Sequence, residues 1–528
     1  MPVNDRNKVI IYDTTLRDGT QREGLSLSVE DKLRIVQALD DFGVDYIEGG
    51  FPFSNPKDQQ FFKEVFKLKL KNATVTAFGS TRYKGKKASE DLGLKALIAS
   101  GASVVCIVGK AWTMQVDEVL RTTLDENLRM ISESIGFLKA AGRTVFFDAE
   151  HFYDGYKDDP EYALKAISVA EEAGADCIIL CDTNGGTLPL EIEEATRSVV
   201  EEAGVPIGIH AHNDAGCAVA NSLVAVEAGA VHVQGTINGY GERCGNADLC
   251  SIIPSLVLKM GRMCTPQDRL SEIMELSHFV AEVSNINLDP HQPYVGASAF
   301  AHKGGQHVSA VSKTSRAYEH IKPELVGNSQ RIVISELAGR STVEKKAKEM
   351  GIDLSAHPDV IGSILQTIKE KEHKGFHYEA ADGSLELIIR RKLRDDGEVV
   401  HLDSFRIIVE KNRDGRLDTM ANVKLWVDNE LVSEYAEGNG PVNALDAALR
   451  KALIGKYPDL AAIELTDFKV RVLDESKGTG ATTRVLIEST DGERSWGTVG
   501  VSENIIEASW QALVDSIEYG IRRRKKKA

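Results

Sequence analysis

Long apolar stretches are missing from this 528-residue chain. None reaches the roughly 18 uninterrupted residues that a bilayer-spanning helix needs, so no membrane segment is expected. Met1–Lys8 leads straight into a strand-like Val9–Tyr12 with no apolar h-region or small-residue cleavage site, so no secretion signal is expected either. Cationic charge is in deficit. The 63 Lys and Arg face 79 Asp and Glu, a net of −16, and such a surface repels a phosphate backbone, so nucleic acid is not an expected partner. Cysteine is scarce and odd in number: Cys106, Cys177, Cys181, Cys217, Cys244, Cys250 and Cys264. Scattered through apolar segments, they fit buried thiols in a reducing compartment, the cytoplasm, better than a disulfide framework. Cys177 and Cys181 lie four apart in a strand-like run, and Cys244 and Cys250 lack C-x2-C spacing, so structural thiols are expected instead of zinc ligands. A dinucleotide fingerprint is also missing. Gly438-Asn-Gly-Pro-Val-Asn443 precedes a helix without the strand–GxGxxG–helix context, which argues against NAD.

What is present is the composition of a large globular protein, 42% hydrophobic and 27% charged, long enough for roughly three units. The first 275 or so residues alternate strand-like runs with amphipathic helical patterns. The predicted strands are Val9–Tyr12, Tyr46–Glu48, Val75–Phe78, Val104–Val108, Val145–Phe147, Cys177–Cys181, Ile207–Ile209 and Val231–Val233. Helices such as Glu30–Phe42, Asn127–Ala141, Glu161–Ala173 and Ile192–Ala203 lie between them, and Gly43, Gly101, Gly142, Gly174, Gly204 and Gly229 sit where a helix-ending residue needs positive φ. Eight such units predict an α/β fold, a closed (β/α)8 TIM barrel over residues 1–276, in preference to a doubly wound sheet. Residues 277–402 read as helical linker subdomains, with Leu270–Val283, Thr342–Met350 and Val360–Glu372 helical. Residues 403–528 hold an internal repeat of about 63 residues: Phe405–Val409 and Val423–Val427 before helix Ala444–Leu453, then Phe468–Val472 and Arg484–Ile487 before helix Ile506–Ile517. This duplicated α+β region carries few clustered ionisable groups, so a regulatory or dimerising role is expected. The tail Arg522–Lys527 reads as a solvated, frayed helix end whose cations suit the C-terminal dipole.

Barrel chemistry gathers at the C-terminal ends of strands. There this chain places Asp13-Thr-Thr-Leu-Arg17-Asp18-Gly19, Glu48, Asp148-Ala-Glu150-His151, Asp182-Thr183-Asn184, His210-Ala-His212-Asn213-Asp214 and Gly241-Glu-Arg-Cys-Gly-Asn246. His210 and His212, two apart on a strand, leave the same face. With a carboxylate from Asp18 and the amide oxygen of Asn246 they form a donor set for Mn²⁺, Zn²⁺, Co²⁺ or Mg²⁺, the alternative being two histidines that only hydrogen-bond at the rim. Arg17 places a fixed cation where an enolate or alkoxide could develop, or else pairs with a barrel carboxylate. Glu150 is a candidate general base or a structural partner of Arg17.

The stretches Asp13-Thr-Thr-Leu-Arg-Asp-Gly, His210-Ala-His-Asn-Asp and Gly241-Glu-Arg-Cys-Gly-Asn-Ala resemble the signatures of the metal-dependent Claisen-condensing and retro-aldol TIM barrels, which include isopropylmalate, homocitrate and citramalate synthases and hydroxymethylglutaryl-CoA lyase. The duplicated C-terminal region resembles the synthase branch. Glu150-His-Phe-Tyr-Asp-Gly-Tyr156 and Val501–Leu513 resemble its citramalate-forming members most. The chain departs from the Ser-x-Glu-Asp of isopropylmalate and homocitrate synthases, carrying Asp148-Ala-Glu150-His151 instead. The resemblance implies condensation of acetyl-CoA with pyruvate at a divalent ion, Mn²⁺ first, with 2-isopropylmalate formation from 2-oxoisovalerate as the alternative. It implies that Thr183 binds the substrate carboxylate, and that the catalytic histidine and tyrosine are His307 and Tyr318, with His302 as the alternative histidine. Those two would reach over a partner subunit's site, so a homodimer is expected, and the base would be His307, Glu150 or both. It further implies an end-product amino acid, isoleucine on the citramalate route, bound at Gly438, Gly440, Asn443 and Asn504, with dimer packing alone as the competing role.

Overall fold

The structure, a computed structural model, describes residues 7–311, 313–334, 339–393 and 399–525, without the side chains of 265–268, 305, 475, 476 and 525. The leader Met1–Arg6 and the last cations of the tail, Lys526 and Lys527, lie outside the described residues. Two compact units are formed, Met1–Phe300 with His320–Ser329, and Ala301–Glu319 with Gln330–Ala528.

The first unit is the (β/α)8 barrel. Its parallel strands are β1 (Lys8–Asp13), β2 (Tyr46–Glu48), β3 (Thr74–Ser80), β4 (Val104–Lys110), β5 (Thr144–Glu150), β6 (Cys177–Asp182), β7 (Ile207–Ala211) and β8 (His232–Gly235). Each pairs with the next, and β8 returns to β1 to close the ring. A short β9 (Met263–Cys264) runs beside β1. The strands read as continuous apolar runs because both faces are buried. Tyr12, Cys106, Phe146, Cys177, Ile179 and Cys181 make one cluster, inside the ring. The intervening Ile11, Val105, Ile107, Val145, Phe147, Ile178 and Leu180 pack in the larger cluster shared with the surrounding helices. Three cysteines are therefore interior fillers, and all seven are free; Cys217, half-buried, and Cys244, exposed, depart from the expected burial.

Local signals set the helices. The first, Val29–Phe42, opens on a capping box between Ser28 and Asp31 and ends at Gly43, φ +101°. Gly204 differs from the other five predicted glycines: Ala203 already leaves its helix in extended backbone, and the Gly204 N–H donates to Glu171 Oε1 at 2.9 Å, so no positive φ is required.

One interior residue sets a stability profile. His232 is fully buried against the rings of Tyr12, Phe146 and Tyr46. Burial pushes its imidazole down from 6.5 to about 3. Between those values the unfolded chain binds a proton that the folded chain refuses, so this residue makes stability fall with acidity by about 1.4 kcal/mol per pH unit below pH 6.5. His232→Phe keeps the aromatic packing without the titration. Its unfolding free energy, from urea curves, is expected to drop by about 2 kcal/mol less than the parent's between pH 7 and pH 5. Equal acid losses in the two chains would contradict a neutral buried ring.

The second unit begins with a short parallel pair, β10 (Ala301–His302) and β11 (Arg331–Ile332), and the helices Gly305–Val311, Arg340–Glu349, Pro358–His373 and Asp382–Leu393. Sequence periodicity misses the last of these because Ser384, Leu385, Leu387, Ile388, Ile389 and Arg390 are all buried, which erases an amphipathic stripe. Two βββα repeats follow. The antiparallel strands β12 (His401–Lys411), β13 (Leu417–Val427) and β14 (Glu430–Glu437) carry helix Pro441–Ile454; β15 (Glu464–Val472), β16 (Thr483–Thr490) and β17 (Ser495–Ser502) carry helix Ile505–Lys525. The repeats start 63 residues apart, as read from sequence, but each has a third strand that the sequence pattern did not reveal. The two helices share one core through Leu445, Leu449, Leu513 and Ile517. The expected frayed end is corrected over Arg522 and Arg523, which remain helical and paired: Arg522 Nε donates to Glu518 at 2.9 Å, and Arg523 lies 3.3 Å from Asp491. Among the described residues no helix is long and apolar enough to cross a membrane.

Candidate metal centre and active site

The loop after β1 is anchored from below. Asp13 accepts from the Thr15 N–H at 3.0 Å and the Thr15 hydroxyl at 2.8 Å, and Thr15 Oγ1 in turn accepts from the Ile237 N–H after β8 at 2.9 Å. Burial pushes the Asp13 carboxyl up to about 7. This brace turns Asp18 toward the end of β7. Asp18 Oδ2 lies 3.2 Å from His210 Nε2 and 3.9 Å from His212 Nε2, and the two Nε2 atoms are 3.3 Å apart. An isolated bridge holds Asn246 against His212.

All four residues are buried, and Asp18 Oδ1, His212 Nδ1 and Asn246 Oδ1 have no hydrogen-bond partner. One donor atom from each of Asp18, His210 and His212 falls within 4.8 Å of the others. Two imidazole nitrogens, a carboxylate and an orphaned amide oxygen fit a divalent cation. The electrostatics of Asp18 and His212 agree. Burial raises the Asp18 carboxyl, but the Arg17 guanidinium and His210 outweigh it and hold it well below the usual carboxylate range. Burial and the neighbouring His210 push His212 down to about 3, which leaves its ring a neutral donor.

Arg17 faces the same mouth. Its Nε donates to Glu48 Oε2 at 2.5 Å, an Nη lies 3.2 Å from Asp18, and its guanidinium covers Phe78 at 3.8 Å. Glu48 is itself held by the Tyr12 hydroxyl at 2.8 Å. Glu150 is therefore not the partner of Arg17: it ends β5 directly opposite Lys110 of β4 and forms an ion pair with it. Thr183 Oγ1 accepts from the His151 N–H at 2.9 Å, which fixes the hydroxyl and leaves its proton available. Backbone strain marks this rim, with His151 at φ +57° and Arg243 at φ +54°; Arg243 grips Asp214 with two hydrogen bonds and the Thr183 carbonyl with a third.

The remaining expected residues are in the second unit. His307 and Tyr318 are exposed and stack on one another with ring centres 4.2 Å apart. His302 instead is buried, its Nε2 3.2 Å from Glu319. Gly438 and Gly440 lie in the strand-to-helix turn of the first repeat and Asn504 in that of the second, while Asn443 sits in the first turn of helix Pro441–Ile454. Asn443 Oδ1 accepts from the Asn439 N–H and Asn504 Oδ1 from the Ile506 N–H, and a Cβ on Gly438 would stand 2.5 Å from the Ala444 nitrogen. The sequence reading named Glu48 without a role and missed Lys110 and Gln234. Their signal is strand adjacency, since β1 neighbours β2, β4 neighbours β5 and β7 neighbours β8.

Comparison with known proteins accounts for nearly the whole chain. Residues 8–280 match the family described as HMGL-like, 294–375 the homocitrate synthase post-HMGL domain-like family, and 379–521 the LeuA allosteric (dimerisation) domain. The (R)-citramalate synthase of Aquifex aeolicus is 55% identical over 514 residues, 97% of both chains. That of Streptomyces coelicolor is 51% identical over 515 residues, 97% of this chain and 96% of the other. A 2-isopropylmalate synthase of Methanocaldococcus jannaschii is 32% identical over 529 residues, 99% of this chain and 97% of the other. The chain belongs to the (R)-citramalate synthase family, within the wider HMGL-like group.

Proposed function

We propose that the protein condenses acetyl-CoA with pyruvate and water to give (R)-citramalate and CoA, in the cytoplasm and as an early step toward isoleucine. The observation that carries this reading is identity of 48–55% to five (R)-citramalate synthases along nearly the full chain, against 32% and 33% to two 2-isopropylmalate synthases.

Asp18, His210, His212 and Asn246 would hold a divalent ion, Mn²⁺ in the first instance, which when bound supplies a Lewis acid for the 2-oxo acid carbonyl. Thr183 donates its hydroxyl proton to the substrate carboxylate, its acceptor side being occupied by the His151 N–H. Arg17, clamped by Glu48 and Phe78, presents its remaining N–H groups to the oxygen on which negative charge grows. Removal of a methyl proton from acetyl-CoA falls to Glu150, to His307 beside Tyr318, or to both. The enolate carbon attacks the keto carbon, and hydrolysis of the thioester releases CoA.

Dimerisation is supported by the match to the LeuA allosteric (dimerisation) domain and by the exposed face of the first repeat's sheet, where Ile408, Trp426, Leu431 and Tyr435 project outward. Isoleucine is the proposed effector, held at Gly438, Gly440, Asn443 and Asn504. The division into a barrel to residue 276, a middle region to 402 and a regulatory remainder belongs to the same reading.

CoA release with Mn²⁺ present, compared among pyruvate, 2-oxoisovalerate and 2-oxoglutarate at equal concentration, tests the substrate. The expected result is a clear preference for pyruvate. Preference for 2-oxoisovalerate would replace the proposal with isopropylmalate formation.

A further inference from the structure

We propose that Asp148 and Gln234 are positioning residues that act through His210, fixing its tautomer so that Nε2 presents a lone pair to the metal site. This rests on the reading of Asp18, His210 and His212 as cation ligands. It assigns a role to the strand-five position at which the chain departs from the isopropylmalate and homocitrate synthase pattern.

Gln234 stands on β8 directly beside His210 on β7. Its side chain is fully buried and spans two partners: Nε2 lies 3.1 Å from Asp148 Oδ1 on β5, and Oε1 lies 2.8 Å from His210 Nδ1. Asp148 is also buried, so neither link is open to exchange with bulk water. Asp148 Oδ1 accepts from the Gln234 NH₂, which turns the amide oxygen to the imidazole. That oxygen can only accept, so Nδ1 must carry the proton. Nε2 is then the nitrogen left for a cation, and it is the atom that faces Asp18 Oδ2 and His212 Nε2. Metal-bound histidines are usually held in this way by a direct carboxylate or carbonyl. Here an amide is interposed, and the carboxylate orders the amide. By contrast His212 Nδ1 has no partner, so only one of the two imidazoles is oriented through its far nitrogen. Asp148 thus lies below the rim, two residues before the end of β5, engaged with Gln234.

The test uses the full chain stripped of metal, with Mn²⁺ titrated by calorimetry and Co²⁺ followed by its visible absorption. Gln234→Met keeps the volume and removes both hydrogen bonds; Gln234→Glu keeps an acceptor facing Nδ1. The expected result is a Kd for Mn²⁺ raised about 10- to 100-fold in Gln234→Met with an altered Co²⁺ spectrum, and a change within about threefold in Gln234→Glu. Parent-like affinity and spectrum in Gln234→Met, or equal weakening in both variants, would overturn the relay and leave Gln234 a packing residue. If Gln234→Met does not fold, Asp148→Asn against Asp148→Leu reads the same relay one link back, because only the asparagine retains an oxygen for the Gln234 NH₂. Equal affinities of that pair would overturn it. Absence of Mn²⁺ binding by the parent chain would instead remove the metal reading on which the relay depends.

Discussion

His212→Ala is expected to lower turnover about 10³-fold or more and to abolish stoichiometric Mn²⁺ binding, while the chain still folds. Losing one ligand of a Lewis-acid centre withdraws several kcal/mol of transition-state stabilisation, and each 1.36 kcal/mol is a factor of ten. The ring can be removed without a large structural cost, because its Nδ1 makes no hydrogen bond and it lies at the barrel rim, past the end of β7. Burial and His210 already keep it neutral at physiological pH, so the parent side chain needs no proton displaced before it can bind an ion. CoA release, calorimetric Mn²⁺ titration and a thermal melt together decide the matter. A variant that melts like the parent and turns over undiminished would sink the site assignment.

The second large effect is expected from Arg17→Lys, with kcat lower by about 10²- to 10³-fold and folding preserved. Arginine is needed for its shape. One planar fork binds Glu48 through Nε and faces Asp18 through Nη1, leaving other N–H groups for substrate while its face covers Phe78. An ammonium group retains the charge that Glu48 requires but cannot make those contacts together. Arg17→Ala is the less informative change, because it strands Glu48, which is fully buried, at a cost of about 3–5 kcal/mol. Steady-state kinetics at saturating pyruvate beside a thermal melt check the prediction. A kcat within threefold of the parent would show that Arg17 is only the partner of Glu48.

Much of this architecture is legible from residue spacing. Eight apolar runs of strand length, separated by amphipathic helices that end at glycine, demand eight buried parallel strands, and the rule that barrel chemistry sits at strand ends then isolates Asp18, His210, His212 and Asn246. The third strand of each repeat escaped because Glu430–Glu437 buries no residue fully and Ser495–Ser502 is broken by Gly497 and Gly500, so neither reads as a strand core. Helix Asp382–Leu393 escaped for the opposite reason, being buried around most of its circumference.

Periodicity is a local property, written within ten or so residues, so in the barrel the sequence by itself determined which segments are strands, which face each residue occupies and which end is chemical. Pairing between side chains is not local. Arg17 and Glu150 both looked able to meet, yet closure of the ring seats β1 against β2 and β5 against β4, so Arg17 takes Glu48 and Glu150 takes Lys110. Asp148 and Gln234 lie 86 residues apart, and only the curvature of the closed sheet brings one to the other and both to His210. Which residues carry donor atoms was written in the chain. Which of those atoms are satisfied, and which are left facing a common point, was decided by the tertiary structure, because hydrogen-bond partnership in a closed barrel depends on strand adjacency and register that no single segment encodes.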